Sequence, residues 1–473
     1  MSDTFPAPIY LETVLARNFE DAQRFFLEDL LAIKIAHTVM LSESGIIPPA
    51  DAARIIAALR AIDTAQVRAF RYDGSCEDLY FYLENLVIAQ VGADIGGKMR
   101  VARSRNDVDL TLYRMSLRRR LVESLEALNA LRSAVLELAA QHRHTVMPAH
   151  THTQPAQPTT LAHYLLAAAE FLARDAARLS AAYDNVNRSP MGACAITTTG
   201  FPIRRARTAE LLGFDGLVEN SYGAIAACDY FTASCAALSV TMINVGRFLQ
   251  DLLLWSTQEF GFIRLPDAFV QCSSIMPQKR NPVALEHCRI LASRAHNEAI
   301  AAMQSAHNTP FGDIVDTEDD LQPLIYQALE NAGRVLRLLA GVLPGVQVDA
   351  ARLRDRAGQN FLTVTELADT LVREAGLSFG KAHEIVHRGV QQSRNEEELL
   401  QAVLKEGLLD EATLRRSLDP VNFVAIRGIV GGPAPEETAR ALHAAKEQLV
   451  ADAARIAGMR EHLAQAGAKL AVL

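Results

Sequence analysis

The chain has 473 residues, too many for one compact core, and its 49% apolar and 22% charged content is that of a folded protein. Lys plus Arg number 47 against 55 Asp plus Glu, so the net charge of −8 argues against a nucleic-acid partner but allows a local cationic pocket. Six cysteines without a CxxC pair, a first stretch (MSDTFPAPIY) lacking basic and apolar signal regions, and no apolar run near ~18 residues predict no disulfide scaffold, no secretion and no membrane span. A reducing cytoplasm is the expected location.

In chain order, helical patterns cover 22–41, 49–61 and 77–90. Long stretches then run without glycine or proline over 98–147, 159–189 and 283–309. Proline is also absent from 203–265, and 324–343 is broken only by Gly333 and Gly341. Within the first stretch Leu117, Leu121, Leu125, Leu128, Val135 and Leu138 recur mostly at helical spacing, with Arg118, Arg119, Glu123, Glu126 and Glu137 between them. About forty helical residues would run roughly 60 Å, longer than a compact domain is wide. The five stretches therefore predict a bundle of very long helices in an all-α fold. Such helices bury their apolar stripes most simply against copies of the same chain, which predicts a homo-oligomer. Shorter helices are expected over 364–375, 379–393 and 435–457.

Three motifs have an ordinary reading beside a functional one. His383-Glu384-Ile385-Val386-His387 matches the HExxH pattern of zinc peptidases, yet it also suits an amphipathic helix with Ile385 and Val386 facing inward. Gly92 to Lys98 nearly forms a P-loop, but Met99 stands where Ser or Thr must reach Mg²⁺, and a helical pattern precedes it where a strand is needed. His142, His144, His150 and His152 lie close together without an adjoining Cys or carboxylate cluster. No metal site is expected from any of the three.

Chemistry points instead to three polar segments far apart in the chain: Arg103-Ser104-Arg105-Asn106-Asp107, Thr151-His152-Thr153-Gln154-Pro155-Ala156-Gln157-Pro158, and Cys272-Ser273-Ser274-Ile275-Met276-Pro277-Gln278-Lys279-Arg280-Asn281-Pro282. Cations, hydroxyls and amides gathered where helices begin suit the binding of carboxylates.

The third segment resembles the Ser-Ser-x-Met-Pro-x-Lys-x-Asn-Pro signature of the fumarase/aspartase superfamily. Within it, the first two segments, Ser189-Pro190-Met191-Gly192, Glu77-Asp78, Arg427 and Gly431-Gly432 resemble argininosuccinate lyases. The resemblance implies a homotetramer of three mostly helical domains, here 1–107, 108–358 and 359–473, with a central bundle of five long helices and active sites shared among three subunits. It also implies reversible β-elimination of fumarate from an N-substituted aspartate, leaving a small-molecule amine and needing no cofactor. Ser273 matches the proposed base for the carbon proton, with Lys279 beside it. His152 matches the histidine of the acid side, and Glu286 the carboxylate that orients it. Ser104, Arg105, Asn106, Thr151, Ser274, Lys279 and Asn281 match residues that hold the succinyl carboxylates.

The departures concern the amine. Arg100 replaces a family His, Val108 a Gln, His150 and Phe201 tyrosines, and Cys272 a Gly in the Ser273 loop. An ungapped alignment puts Ile314, Asp319 and Gln322 where argininosuccinate lyases offer Tyr, Gln and Lys, and Asn18 and Ala22 where they have Ser and Asp. The implied substrate is argininosuccinate or, more in keeping with these changes, another adduct such as ethylenediamine-disuccinate. Arg100 and His150 would then add positive charge for extra carboxylates. An ordinary argininosuccinate lyase is the alternative. A lens-crystallin-like structural protein and a zinc peptidase are remoter readings, and the intact Ser273, His152, Lys279 and Asn281 count against the former.

Overall fold

The structure, a computed structural model, describes residues 5–473. Its centre is five helices, numbered α1 (Arg105–Gln141), α2 (Leu161–Val186), α3 (Asp229–Trp255), α4 (Val283–Ala306) and α5 (Gln322–Val342). Each packs on the next and α5 returns to α1, so the five close into a ring in sequence order. The expected long-helix bundle is present, and α1 alone has 37 residues, about 55 Å at the helical rise. Its predicted stripe of Leu117, Leu121, Leu125, Leu128, Val135 and Leu138 is buried throughout. This one-chain core already covers much of the stripe that seemed to require other copies.

Three arginines of α1 depart from the amphipathic pattern. Arg114, Arg118 and Arg132 are buried, although Arg118 was expected on the polar face. Arg118 donates to Asn187 Oδ1 at 2.8 Å and to the carbonyls of Leu212 and Gly213 at 2.6 and 2.9 Å, and lies 4.3 Å from the Phe214 ring centre. Arg114 donates to the Asn185 carbonyl at 2.9 Å. Carbonyls near helix ends have no intrahelical donors, and a guanidinium with five N–H groups supplies several at once. That satisfaction brings the charge inside.

Helix α3, at 27 residues, is long and apolar enough by length and composition to cross a membrane, although it holds no unbroken apolar run near ~18 residues. More than half of its most apolar window is buried within the bundle, as expected of a core helix. A second departure lies between α1 and α2, where the segment read as a polar connection is an antiparallel hairpin, β1 (Val146–Thr151) and β2 (Gln154–Thr160). Its three prolines hid it, but a two-stranded ribbon has open edges on which a missing N–H costs little.

The helices Val364–Ala375 and Phe379–Gln392 form where expected and share a small core around Leu367, Leu371, Ile385 and Leu399. The last helix, α6 (Pro435–Val472), continues past the expected end at 457 and packs on α1 and α2. Gly458 and Gly467 weaken a helix by about 1 kcal/mol each. Burial of Ile456, Met459 and Leu470 and the Arg132–Asp452 ion pair at 2.6 Å offset this.

Candidate active site

The three polar segments occupy three kinds of backbone. The first begins α1. Ser104 is its N-cap: the Ser104 N–H donates to Asp107 Oδ1 at 2.8 Å, and the Ser104 hydroxyl to Asn106 Oδ1 at 2.8 Å. Asp107 is buried, and its other oxygen accepts the N–H groups of Gly192 and Cys194 at 2.8 and 3.1 Å. Burial pushes the Asp107 carboxyl up to about 6 despite these donors. Gly192 is required in this joint, because its φ is +85° and a Cβ there would lie 2.7 Å from Arg205 Cγ. The Ser189–Gly192 segment thus serves to seat the start of α1.

The second segment forms the tip of the β1–β2 hairpin. Thr151 pairs with Gln154, leaving a two-residue turn of His152 (φ +51°) and Thr153 (φ +66°). Two positive φ values match the hairpin turn that normally carries Asn-Gly, and a β-branched residue there is strained. Thr151 and His152 are exposed at this tip.

The third is a loop closed by a short ribbon, with Gln271 opposite Asn281 and Cys272 opposite Arg280. Arg280 anchors it through the Leu265 carbonyl at 3.0 Å and Asp267 at 2.5 Å. Ser273 Oγ accepts the N–H groups of Met276 at 3.1 Å and Ile275 at 3.4 Å, and the Lys279 N–H closes the turn on the Met276 carbonyl at 3.0 Å. Ser274 and Lys279 are exposed, and Lys279 has no ion-pair partner among the described residues. Cys272 does not have a positive φ, so this position makes no demand for glycine. Glu286 lies in the first turn of α4, also exposed. No hydrogen bond joins it to His152 within one chain. The structure therefore brings Ser104, Arg105 and Asn106 together, and Ser273, Ser274, Lys279 and Asn281 together, while His152 stands apart on its hairpin.

Beside the start of α1 is a cavity of about 300 Å³, walled by the N-terminal helices, the Glu77-Asp78 turn, α1 and the segment before α5. Asn18, Ala22 and Asp319, three of the altered positions, line it. Gln322 does not, being buried with its amide bonded to the Thr317 carbonyl at 3.2 Å and the Tyr326 hydroxyl at 3.0 Å. Arg105 is placed differently from a simple carboxylate holder, with Asp78 at 2.6 Å, Glu77 at 3.3 Å and Asp109 at 3.5 Å from its terminal nitrogens. Burial opposes its charge, but Asp109, Asp78, Asp319 and Glu77 outweigh that and raise its pKa. Burial raises Asp109 and Asp319 as well, and with Asp313 and Asp319 it pushes Glu318 up to about 7.

Two expectations about charge are corrected here. Arg100 supplies no free cation, since its Nε donates to Glu84 at 2.6 Å and its guanidinium lies over Phe81. His150 has its pKa lowered by burial, favouring the neutral imidazole, and lines a different cavity beside Phe260 and Trp255.

Comparison with known proteins places the chain in a family. The family described as Lyase matches residues 17–296, and that described as Argininosuccinate lyase C-terminal matches residues 361–425. Argininosuccinate lyase 2 of Agrobacterium fabrum is 42% identical over 486 aligned positions, spanning 99% of this chain and 96% of that protein. The chain belongs to the argininosuccinate lyase family. Argininosuccinate lyase of Methanoculleus marisnigri is 40% identical across 94% of this chain and 93% of its own. Among solved structures, EDDS lyase in complex with formate superposes with a TM-score of 0.86 at 32% identity, covering 98% of this chain and 94% of that one. A class II fumarase from Schistosoma mansoni, at 16% identity and a TM-score of 0.68 over 85% of this chain and 90% of that one, shares the fold.

As a member of the argininosuccinate lyase family, the protein is a carbon–nitrogen lyase that releases fumarate. The other motifs find structural explanations. Ile385 and Val386 are buried, the two HExxH rings stack 6.1 Å apart, and no group of three or more His, Cys, Asp or Glu gathers among the described residues. Lys98 of the P-loop-like segment donates to Asp51 at 2.6 Å. What the sequence reading missed is Asp109, whose signal was a carboxylate four residues after Arg105 between the buried Val108 and Leu110.

Proposed function

We propose that this lyase eliminates fumarate from an N-substituted L-aspartate whose amine is not arginine. Ser273 takes the carbon proton. The C–H electron pair becomes the C=C bond of fumarate, and the C–N pair leaves on the nitrogen, which takes a proton from the acid side. The difficulty is charge, because the carbanion puts a second negative charge beside a carboxylate, so donors must be set in advance for the dianion-like state. The observation that carries the reading is Ser273 Oγ, which already accepts two backbone N–H groups in a loop whose lysine is unpaired. Those donors would stabilise the alkoxide a serine base requires. In this proposal Lys279 adds the cation, His152 serves the acid side and Glu286 orients it. Ser104, Asn106, Thr151, Ser274 and Asn281 hold the succinyl carboxylates, with Arg105 beside them.

We place the complete site between subunits of a cytoplasmic homotetramer. Ser274, Lys279, His152 and Glu286 are exposed on one chain. So is an apolar stripe of Val240, Ile243 and Leu254 on the outer face of α3, with Ile290 on α4. The second reading is an ordinary argininosuccinate lyase, favoured by relatives of that name at 42% and 40% identity. The deciding experiment incubates the enzyme with fumarate and a panel of amines, arginine included, and follows fumarate absorbance. Consumption with a non-arginine amine at the higher kcat/KM is the expected result. Preference for arginine would establish the ordinary enzyme, and no consumption with any amine, together with no fumarate from argininosuccinate, would overturn both.

A further inference from the structure

The cavity beside the start of α1 holds an unusual balance of charge. Glu77, Asp78, Asp109, Glu318 and Asp319 line it, and Arg105 is its sole basic residue among those described. That one guanidinium is already shared among three of the carboxylates. Asp319 has instead a neutral donor, the Tyr113 hydroxyl at 2.8 Å, and Glu318 has no ion-pair partner among the described residues. The remaining wall is mostly apolar, with Phe26, Leu112 and the Tyr113 ring, and also carries Asn18 and a sixth carboxylate, Asp320. Arg105 Nε is buried and has no acceptor within the chain. The Nε donor is therefore left unused, while the terminal nitrogens are turned to carboxylates.

We propose that this cavity takes the amine half of the substrate, and that it selects an amine carrying a second cationic nitrogen and no carboxylate, such as an alkyl diamine or an aminoalkyl guanidine. The inference rests on the lyase reading above and names its substrate class. The succinyl carboxylate lies towards Arg105 Nε, the alkyl chain crosses the apolar wall, and the distal cation meets Asp109 and Asp319. A buried carboxylate without a cation is costly, and a bound cation relieves that cost. A carboxylate on the same chain would face Asp109 and Asp319 with no cation left to receive it, since Gln322 stands buried and satisfied where the family resemblance implies a lysine. Selection thus works by repulsion as well as attraction. The raised carboxyl groups of Asp109, Asp319 and Glu318 fit a site that awaits a positive charge. At about 300 Å³ the space suits a short chain.

The test uses amine pairs that differ by one carboxylate: 1,4-diaminobutane against ornithine, and 4-aminobutylguanidine against arginine. Fumarate loss is followed by absorbance and the N-succinyl product by mass. The member without the carboxylate is expected to have a kcat/KM at least about tenfold higher, equivalent to ~1.4 kcal/mol. Asp109→Asn and Asp319→Asn should each shrink that ratio, mainly by raising KM for the diamine. Asp319→Asn keeps an acceptor for the Tyr113 hydroxyl, so this variant keeps the test open if Asp109→Asn misfolds. Preference for ornithine or arginine, or a ratio that neither variant moves, overturns the inference while leaving the lyase reading intact. If no amine consumes fumarate and argininosuccinate releases none, the lyase reading fails, and calorimetry with 1,4-diaminobutane alone decides the cavity. Saturable binding weakened by Asp109→Asn supports it, and absence of binding overturns it.

Discussion

Glu84→Gln removes the carboxylate that pairs with a buried cation group at the start of α1. Glu84 Oε1 accepts from Lys34 Nζ at 3.2 Å and from Arg103 at 2.5 Å, while Oε2 accepts from Arg100 at 2.6 Å. The side chains of Lys34, Glu84 and Arg103 are fully buried, and Arg100 is half-exposed. Lys34 also rests 3.5 Å from the centre of the Tyr80 ring. Burial, and then the charge of Arg103, hold the Lys34 pKa well below its ordinary value, so lysine can shed its proton when its partner goes. Arginine cannot, and Arg103 already has two nitrogens without acceptors. Breaking a buried pair by removing one partner costs about 3–5 kcal/mol. We expect a loss of that size for Glu84→Gln, carried mostly by Arg103. Arg103→Met in the Glu84→Gln background should then recover about half of it, whereas Lys34→Met should recover little. Urea denaturation followed by circular dichroism gives the four stabilities of each cycle. A loss under about 1 kcal/mol for Glu84→Gln, or equal rescue by the two second-site changes, would refute the assignment of the cost to a stranded guanidinium.

Ser273→Ala and His152→Asn should each lower kcat by about 10³-fold or more with the fold intact, and a co-refolded mixture of the two variants should regain part of the activity. Near-normal turnover by Ser273→Ala removes it from the mechanism, and failure of every mixture to recover argues against sites shared between subunits. The Glu318 carboxyl also predicts a pH dependence. Its folded pKa of about 7 lies above the unfolded value of ~4.3, so the native state holds the proton more tightly. Its stabilising contribution is full below the unfolded value and is lost as pH rises through about 7. The Tm should fall between pH 6 and pH 8, less steeply in Glu318→Gln; identical slopes in the two proteins would contradict this.

Helix periodicity is local, which is why the ring of α1–α5 was legible from glycine- and proline-free stretches and from the spacing of Leu117 to Leu138. The loop proposed to react was legible for another local reason: ten consecutive residues from Ser273 to Pro282 carry a long pattern, and the turn they form closes on itself and on the adjoining Gln271 and Cys272. Charge pairing is not local. Whether Arg100 serves a ligand depends on Glu84, and whether Arg105 does depends on Glu77 and Asp78, 28 and 27 positions away. Tyr113 reaches Asp319 across 206 positions. The acidic lining of the cavity beside α1 therefore followed from tertiary contacts, as did the pairing of Arg100 with Glu84 and the burial of His150. Burial of Arg114, Arg118 and Arg132 has the same origin, because a helical pattern records which face a residue occupies but not which carbonyls or, for Arg132, which carboxylate waits opposite it. Residue order alone was enough for the bundle and the family; only the packed chain decided which charges were already taken.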